Sequence, residues 1–141
     1  MTLDGVFDFL RSKRLGVIAT VDAAGAPEAA LVGFAVTPDR RLVFDTSANS
    51  RKALNLATRP EAAFVVGWDD EISVQIEGVA RSVSGAELAA AKDAYFAVWP
   101  DGRARENWPD IAYIAITPRW LRYSNFAAGP EIVEFRMNEP A

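Results

Sequence analysis

The chain has 141 residues, a hydrophobic fraction of 50% and a formal net charge of −4. It contains no cysteine and no histidine, which excludes disulfides, thiolate catalysis, histidine general bases and the usual zinc and haem ligands. This length can close one hydrophobic core, so we predict a single domain over residues 1–141 with no bound metal. The acidic balance and the lack of an apolar run of roughly 20 residues predict a cytoplasmic protein that binds neither nucleic acid nor membrane.

The N-terminal segment, residues 1–14, is predicted to form an amphipathic helix. Thr2 can cap its first turn, and its apolar residues recur at helical spacing: Leu3, Val6, Phe7 and Leu10. The chain then runs through two predicted strands, Leu15–Val21 and Pro27–Val36. Because the short turn between them contains Gly25, which can adopt a positive φ, the two strands are predicted to form a β-hairpin.

Four further elements are predicted between residues 37 and 83. A turn containing Pro38 leads into a third strand, Arg41–Thr46, and a short helix follows from Arg51 to about Thr58. The next strand, Glu61–Trp68, is apolar on both faces, as expected of an interior strand of a barrel. Ile72–Val83 alternates between apolar and polar residues, which predicts a strand with one buried face.

The strongest helix signal lies in residues 84–98, which are rich in alanine and have apolar residues at helical spacing. Ser84 and Glu87, three residues apart, match a capping box at its start. A polar loop over residues 99–110 follows and contains two Trp-Pro pairs. Large aromatic residues on a loop indicate contact with a partner or ligand surface, although packing against the protein itself is the alternative.

The C-terminal part is predicted to contain one long strand, Ile111–Tyr123, bent at Pro118 because proline cannot donate to the sheet. Ile132–Phe135 is predicted to be one more short strand, before a frayed tail over residues 136–141. In total the chain has six or seven predicted strands, most of which return to a sequential neighbour, and two or three helices. This pattern predicts a mainly β fold, an antiparallel barrel with flanking helices.

The turn before the short central helix has the composition of an anion site. Ser50 or Asn49 can cap the helix, which leaves backbone N–H groups free where the helix dipole favours negative charge. Arg51 and Lys52 place two cations at the same end, where they oppose the dipole, and a bound phosphate would remove that conflict. A pair of solvated surface cations is the alternative interpretation.

The residues around this turn match a recurring pattern in which a strand runs into a Thr-x-x-x-Ser-Arg-Lys turn and helix. An Asn-Pro or Arg-Pro then precedes an apolar strand ending in Trp, and the following strand ends in Glu-Gly. The matching residues are Thr46, Ser50, Arg51, Lys52, Arg59, Pro60, Trp68, Glu77 and Gly78. With this pattern the chain resembles the FMN-binding split-barrel family of pyridoxamine 5′-phosphate oxidase-like proteins. The resemblance covers roughly residues 12–125 and implies an antiparallel split barrel of the FMN-binding type.

The resemblance also implies roles for particular residues. Arg51 and Lys52 would hold the FMN phosphate, Thr46 and Ser50 would donate hydroxyl bonds near it, and the backbone of Asp45 would lie along the cofactor. The remaining candidates lie near the isoalloxazine ring: Ala30, Leu31 and Val32 on the second strand, Gln75 at the pyrimidine edge, and Tyr123, Trp120 and Trp99 as cover from across a dimer interface. Gln75 can both donate and accept, as that edge requires, but a cross-strand surface pair is the equal alternative. For the three aromatic residues and Trp68, packing is the alternative.

The chain departs from the members of the family that oxidise pyridoxamine phosphate. Those members carry an Arg on the second strand and a Lys five residues later, where this chain has Ala30 and Ala35. They also end in an Arg-Leu-His-Asp-Arg motif, whereas this chain continues after Tyr123 as SNFAAGPEIVEF. Vitamin B6 oxidation is therefore not expected, and a deazaflavin is an alternative to FMN as cofactor. The lack of histidine also argues against the haem-degrading relatives.

These observations lead to three functional hypotheses. The first is a homodimeric FMN-dependent oxidoreductase with the flavin at the dimer interface, acting on an unidentified small molecule with NAD(P)H as electron source. The second is a protein that sequesters or senses flavin without turnover. The third is a deazaflavin-dependent reductase of the same fold. No catalytic residue is assigned from the sequence.

Overall fold

Alternating apolar residues and well-placed helix caps divide the chain into eight strands and three α-helices over residues 1–137, which are the residues that the computed structural model describes. The helices are α1 (Leu3–Arg11), α2 (Arg51–Thr58) and α3 (Gly85–Val98). The strands are β1 (Leu15–Val21), β2 (Pro27–Gly33), β3 (Ala35–Val36), β4 (Leu42–Ser47), β5 (Glu61–Val66), β6 (Ile72–Ser82), β7 (Ile111–Asn125) and β8 (Glu131–Arg136). The predicted helices and strands are thus confirmed, with shifts of a few residues at their ends. The predicted tail falls largely on residues 138–141, outside the described residues.

One antiparallel sheet contains all the strands, in the order β2-β1-β5-β6-β7-β4-β3, with β8 added to β7. The two ends of this path, β2 and β3, are separated only by Phe34, so the sheet curls until its edges meet. Phe34 is fully buried, and its backbone N–H donates to the carbonyl oxygen of Arg14 at 2.9 Å. The predicted single strand over residues 27–36 is therefore divided at Phe34. The predicted fold class, a mainly β antiparallel split barrel with flanking helices, is confirmed.

The barrel encloses the core, and α1 closes part of it. Val6, Phe7 and Leu10 of α1 are all buried, as their spacing predicts. Thr2 caps the helix, since its side-chain oxygen accepts a hydrogen bond from the N–H of Gly5 at 3.0 Å. The largest fully buried side chains elsewhere are Phe34, Phe44, Ile18, Leu42, Ile76, Ile114, Ile116 and Leu121. Burial of these groups is the main stabilising term of the fold.

Strand β5 corrects one prediction from the sequence. Its side chains alternate between buried and accessible, with Ala62, Phe64 and Val66 buried and Ala63 exposed. The expectation that this strand is buried on both faces is wrong, because only one face of the strand looks into the barrel. The strand also ends at Val66, before Trp68, which is 54% exposed. Burial in the core therefore does not explain why this exposed position is a tryptophan.

The long pair of strands β6 and β7 contains an irregularity at the predicted bend. The register shifts between Glu77 and Gly78, where Gly78 pairs with Pro118. A Cβ atom at Gly78 would lie 2.2 Å from the carbonyl oxygen of Thr117, so the close approach requires glycine here. The predicted distortion at Pro118 is thus confirmed. Strand β7 extends two residues beyond its predicted end, to Asn125.

Helix α3 and the loop after it complete the described structure. Ser84 is the N-cap of α3 but makes no side-chain capping hydrogen bond, so the predicted capping box is wrong. The loop begins with a 3-10 turn over Pro100–Arg105, and the indole N–H of Trp99 donates to the carbonyl oxygen of Phe34 at 3.0 Å. Trp99 therefore packs beside Phe34, between β2 and β3. Among residues 1–137, no helix combines the length and apolar character that crossing a membrane requires.

Candidate phosphate and flavin site

The turn between β4 and α2, residues 48–50 (the anion turn), is held by a short chain of hydroxyl groups. Ser50, and not Asn49, is the N-cap of α2, and its side-chain oxygen accepts a hydrogen bond from the N–H of Ala53 at 3.3 Å. The hydroxyl of Thr46 donates to the same oxygen at 3.0 Å. The hydroxyl of Thr46 is directed toward Ser50 and so positions the cap.

The two cations at the start of α2 line a cavity. Arg51 and Lys52 border a space of about 210 Å³ between α2 and the first hairpin, together with Ile18, Thr20, Glu28, Ala29 and Ala30. Opposite these cations, the antiparallel register pairs Ile18 with Ala30 and Thr20 with Glu28. The volume is below the 300–1,000 Å³ typical of a whole small-molecule site, but it is sufficient for a phosphate group. The structure thus brings together Arg51, Lys52 and Ala30 from the predicted site.

An acidic residue, Glu28, lies in the same cavity, and the sequence analysis did not assign it a role. Its side chain is only 15% exposed, and it forms an ion pair with the guanidinium of Arg51, which is 81% exposed. The side-chain amide of Asn55 donates to the Glu28 carboxylate at 2.7 Å and to the Thr20 hydroxyl at 2.9 Å. A glutamate two residues from Ala30 on the same face of a strand was the sequence signal that could have identified it.

Asp45 makes its contacts on the side of β4 that faces α3 and the 3-10 turn. Its carboxylate accepts a hydrogen bond from the Nε of Arg105 at 2.9 Å and another from the Tyr95 hydroxyl at 3.0 Å. Burial and the neighbouring Asp45 charge raise the pKa of Tyr95 well above its ordinary value. The hydrogen bond to Asp45 raises the pKa of Arg105 further, so the guanidinium stays charged. This cluster joins the end of β4, just before the anion turn, to the 3-10 turn.

A second contact ties the same turn to the loop carrying the second Trp-Pro pair. The hydroxyl of Ser47 donates to the carboxylate of Asp110 at 2.7 Å, and the N–H of Ala48 donates to the carbonyl oxygen of Asp110 at 2.6 Å. Trp108, two residues earlier, is 54% exposed. The anion turn is therefore fixed from both sides, by Asp45 and by Asp110, and does not depend on α2 alone.

The other predicted site residues are not in this cavity. On β2, Val32 is buried on the same face as Ala30, but Leu31 lies on the opposite face and is 62% exposed. Gln75 lies on the outer face of β6, beside Val65 of β5 in the register. Tyr123 is buried in the core, with its ring 6.2 Å from that of Phe9 in an edge-on contact. Contact of these four side chains with a flavin stays a prediction.

The outer face of the sheet carries two adjoining cavities of about 440 and 310 Å³. Gln75 lines the smaller one. Residues common to both are Ala19, Ala63, Glu77 and Trp120. A larger cavity of about 680 Å³ lies between α1, β3 and α3, and its lining residues include none of the predicted site residues. Its lining is mainly alanine and aliphatic side chains, with the charged residues Arg11, Lys13 and Asp93 among them.

The residues around the anion turn fit a phosphorylated cofactor. Two cations border the cavity, and the Ser50 hydroxyl and the first-turn N–H groups of α2 adjoin them in the chain; groups of this kind are donors suited to phosphate oxygens. Glu28 opposes this fit, because it adds a negative charge to the same cavity. The net charge of the side chains that line it is therefore one positive charge, from two cations and one carboxylate.

Comparison with known proteins identifies the family of the chain. The family profile described as pyridoxamine 5′-phosphate oxidase matches residues 3–125. The pyridoxine/pyridoxamine 5′-phosphate oxidase of Cupriavidus taiwanensis is 41% identical over 92 residues, which are 64% of this chain and 42% of the relative. The chain thus spans less than half of the length of that relative.

Two solved structures have a similar fold. A pyridoxamine 5′-phosphate oxidase-related, FMN-binding protein from Nostoc punctiforme has a TM-score of 0.72 at 15% identity, covering 99% of this chain and 98% of that protein. A haem-binding protein from Mycobacterium smegmatis has a TM-score of 0.77 at 22% identity, covering 89% of this chain and 53% of that protein. At these identities the likeness concerns the fold alone. The extent of the profile match, together with the split barrel and its Ser-Arg-Lys turn, shows that the chain belongs to the pyridoxamine 5′-phosphate oxidase family.

Proposed function

We propose that this protein binds FMN with the cofactor phosphate in the cavity bordered by Arg51 and Lys52. The observation that carries the proposal is that both cations border one cavity beside β2, directly after the Ser50 cap of α2. Charge-assisted bonds from these groups would hold the phosphate, and the strand backbone near Ala30 would lie beside the rest of the cofactor. Family membership and the FMN-binding relative of the same fold support this assignment.

A bound flavin supplies reversible two-electron chemistry, so the protein does not have to supply a nucleophile. The tasks left to this chain are binding, orientation and exclusion of water. Arg51 and Lys52 anchor the phosphate end, and the Thr46–Ser50 hydroxyl pair fixes the turn that presents them. Asp45 and Arg105 brace that turn from the other side. We propose an oxidoreductase acting on a small molecule with NAD(P)H as electron source, in line with the redox chemistry of the cofactor.

The active unit in this proposal is a homodimer with the flavin at its interface. The register places Leu31, Val17 and Val65 side by side on the outer face of β2, β1 and β5, with Gln75 next in the row. A second row contains Ala29, Ala19 and Ala63. An accessible apolar stripe of this kind is typical of an interface between subunits. Because Gln75 and the phosphate cavity lie on opposite faces of the sheet, Gln75 would reach a flavin only from the second subunit.

The chain is not proposed to be a pyridoxamine-phosphate oxidase. Ala30 lies in the phosphate cavity and Ala35 is buried, where the resemblance predicts an Arg and a Lys in members with that activity. A phosphorylated substrate requires its own cluster of cations in addition to those that hold the cofactor. In the C-terminal part of the described chain, Arg122 lies close to the Glu134 carboxylate, at 3.7 Å. Because the Glu134 carboxylate partly offsets the charge of Arg122, this arginine attracts a phosphate less than an unpaired arginine would.

Titration of the purified protein with FMN tests the proposal. The parent protein should bind FMN, and Arg51→Ala/Lys52→Ala should bind it at least tenfold more weakly. Each charge-assisted bond to phosphate contributes about 1.5–3 kcal/mol, and binding is measured at a temperature where both proteins are folded, because the variant also removes the ion-pair partner of Glu28. Equal dissociation constants for parent and double variant would contradict the phosphate assignment.

The same preparation separates the alternatives. Steady NAD(P)H consumption by the FMN-loaded protein with an electron acceptor supports an oxidoreductase, whereas binding without consumption supports a protein that only holds flavin. Tight binding of a deazaflavin together with poor binding of FMN would favour a deazaflavin-dependent reductase. The absorption spectrum of the protein as purified is the first measurement, because oxidised flavin absorbs visibly and reduced or absent flavin does not.

A further inference from the structure

The negative charge inside the proposed phosphate cavity calls for a physical explanation. Glu28 is largely buried, and a buried carboxylate is costly unless it has strong partners. It has two, the Arg51 guanidinium and the Asn55 amide, and the amide also holds the Thr20 hydroxyl of the paired strand. The ion pair and the hydrogen bond therefore hold the carboxylate in place, and the carboxylate occupies donors that a phosphate would otherwise use.

We propose that Glu28 determines the specificity of this cavity by penalising a ligand group with two negative charges relative to a group with one or none. This inference rests on the proposed function and concerns the charge of the group that the site accepts. A phosphate monoester such as FMN carries about −1.5 to −2 near neutral pH, since its second pKa is about 6. A phosphodiester carries only one negative charge, which matches the single net positive charge of the side chains lining the cavity.

Two physical effects produce the penalty. The carboxylate repels a second anion directly, and this repulsion is stronger in a largely buried site than in water. It also engages Arg51, so that a phosphate must share that guanidinium with Glu28 instead of binding it in the two-pronged geometry that arginine favours. Both effects disappear when the side chain is neutral, even if its shape is unchanged. Glu28→Gln is therefore the informative variant, because a glutamine can still accept the hydrogen bond from Asn55.

The test compares FMN with riboflavin, which has the same ring system without the phosphate. In Glu28→Gln the dissociation constant for FMN should fall about tenfold, a change of about 1.4 kcal/mol, and that for riboflavin should change less than twofold. Asp8→Asn is the matched control, because Asp8 is exposed on α1 and its removal changes the net charge of the protein by the same amount. This control should change neither constant by more than twofold. Isothermal titration calorimetry of each protein with each ligand provides all six values.

The outcomes distinguish the failure of this inference from the failure of the proposed function. If the parent binds FMN and Glu28→Gln binds it no more tightly, the role of Glu28 is wrong while FMN binding stands. An equal gain for riboflavin and FMN would also overturn it, since the effect would not then depend on the phosphate. If no protein in the set binds FMN, the proposed function fails, and this inference fails with it. Glu28→Ala, beside two alanines of β2, replaces the first variant if Glu28→Gln is recovered unfolded.

Discussion

Replacement of Arg105 by glutamine should destabilise the protein by about 1.5–3 kcal/mol. The guanidinium donates to Asp45 at 2.9 Å, and the Asp45 side chain is only 10% exposed, so the variant leaves a buried carboxylate that keeps the hydrogen bond from the Tyr95 hydroxyl but loses its charged partner. Breaking a fully buried pair costs about 3–5 kcal/mol. Because Arg105 itself is 26% exposed, water can partly replace it, which lowers the expected cost toward that of a charge-assisted hydrogen bond.

Chemical denaturation monitored by tryptophan fluorescence measures this cost. For a chain of 141 residues the loss corresponds to a fall in melting temperature of roughly 5–12 °C. Arg103→Gln is the matched control, since Arg103 belongs to the same 3-10 turn and its guanidinium lies 4.8 Å from the centre of the Phe96 ring. Its free energy of unfolding should stay within about 1 kcal/mol of the parent.

A double-mutant cycle with Asp45→Asn isolates the pair. If Asp45 and Arg105 interact as their geometry indicates, Arg105→Gln should cost at least about 1 kcal/mol less when Asp45 is already neutral. The reasoning would be refuted if the free energies of unfolding of Arg105→Gln and of the parent differed by less than about 0.5 kcal/mol, the usual range for surface substitutions. It would mean that solvent satisfies the carboxylate as well as the guanidinium does, and that the cluster does not brace the anion turn.

The remaining predictions concern ionisation and assembly. Burial raises the pKa of Tyr95 and of Tyr113 in the folded protein. Above about pH 10 the unfolded state releases these two protons while the folded state keeps them. The free energy of unfolding should therefore not depend on these groups below about pH 10 and should fall as the pH rises above it. Denaturation at pH 9 and 11 checks this, and Tyr95→Phe should reduce the fall. In the proposed homodimer, Leu31→Asp should shift sedimentation at micromolar concentration toward a species of about 15.3 kDa, whereas Leu54→Asp, an equally accessible leucine on α2, should not. A parent protein that sediments as a monomer with FMN present would contradict the assembly.

Most of the fold could be predicted from local patterns. The helices α1 and α3 follow from apolar spacing, and β6 follows from strict alternation, because burial on one face imposes a period on the sequence. The anion turn could be predicted for the same reason, since the cap Ser50 and the following Arg51 and Lys52 are adjacent in the chain. Each of these features depends on residues within a few positions of one another.

Sequence reasoning failed where the outcome depended on distant partners. The composition of β5 suggested burial on both faces, but only the closed barrel decides that Ala63 faces outward and Phe64 inward. The Ser84–Glu87 spacing fits a capping box, yet Ser84 makes no capping bond in the folded chain. Local patterns permit an interaction, whereas packing decides whether it forms.

The sequence by itself determined the family, the strand periodicity and the position of the two cations. Only the tertiary structure decided what surrounds those cations, because Glu28 reaches Arg51 through the antiparallel pairing of β1 with β2 and the position of α2 above them. The same holds for Asp45, whose partner Arg105 lies 60 residues away in the chain. Electrostatic contacts act through space and carry no periodicity along the sequence, so a charge that alters a binding site becomes visible only when the chain has folded.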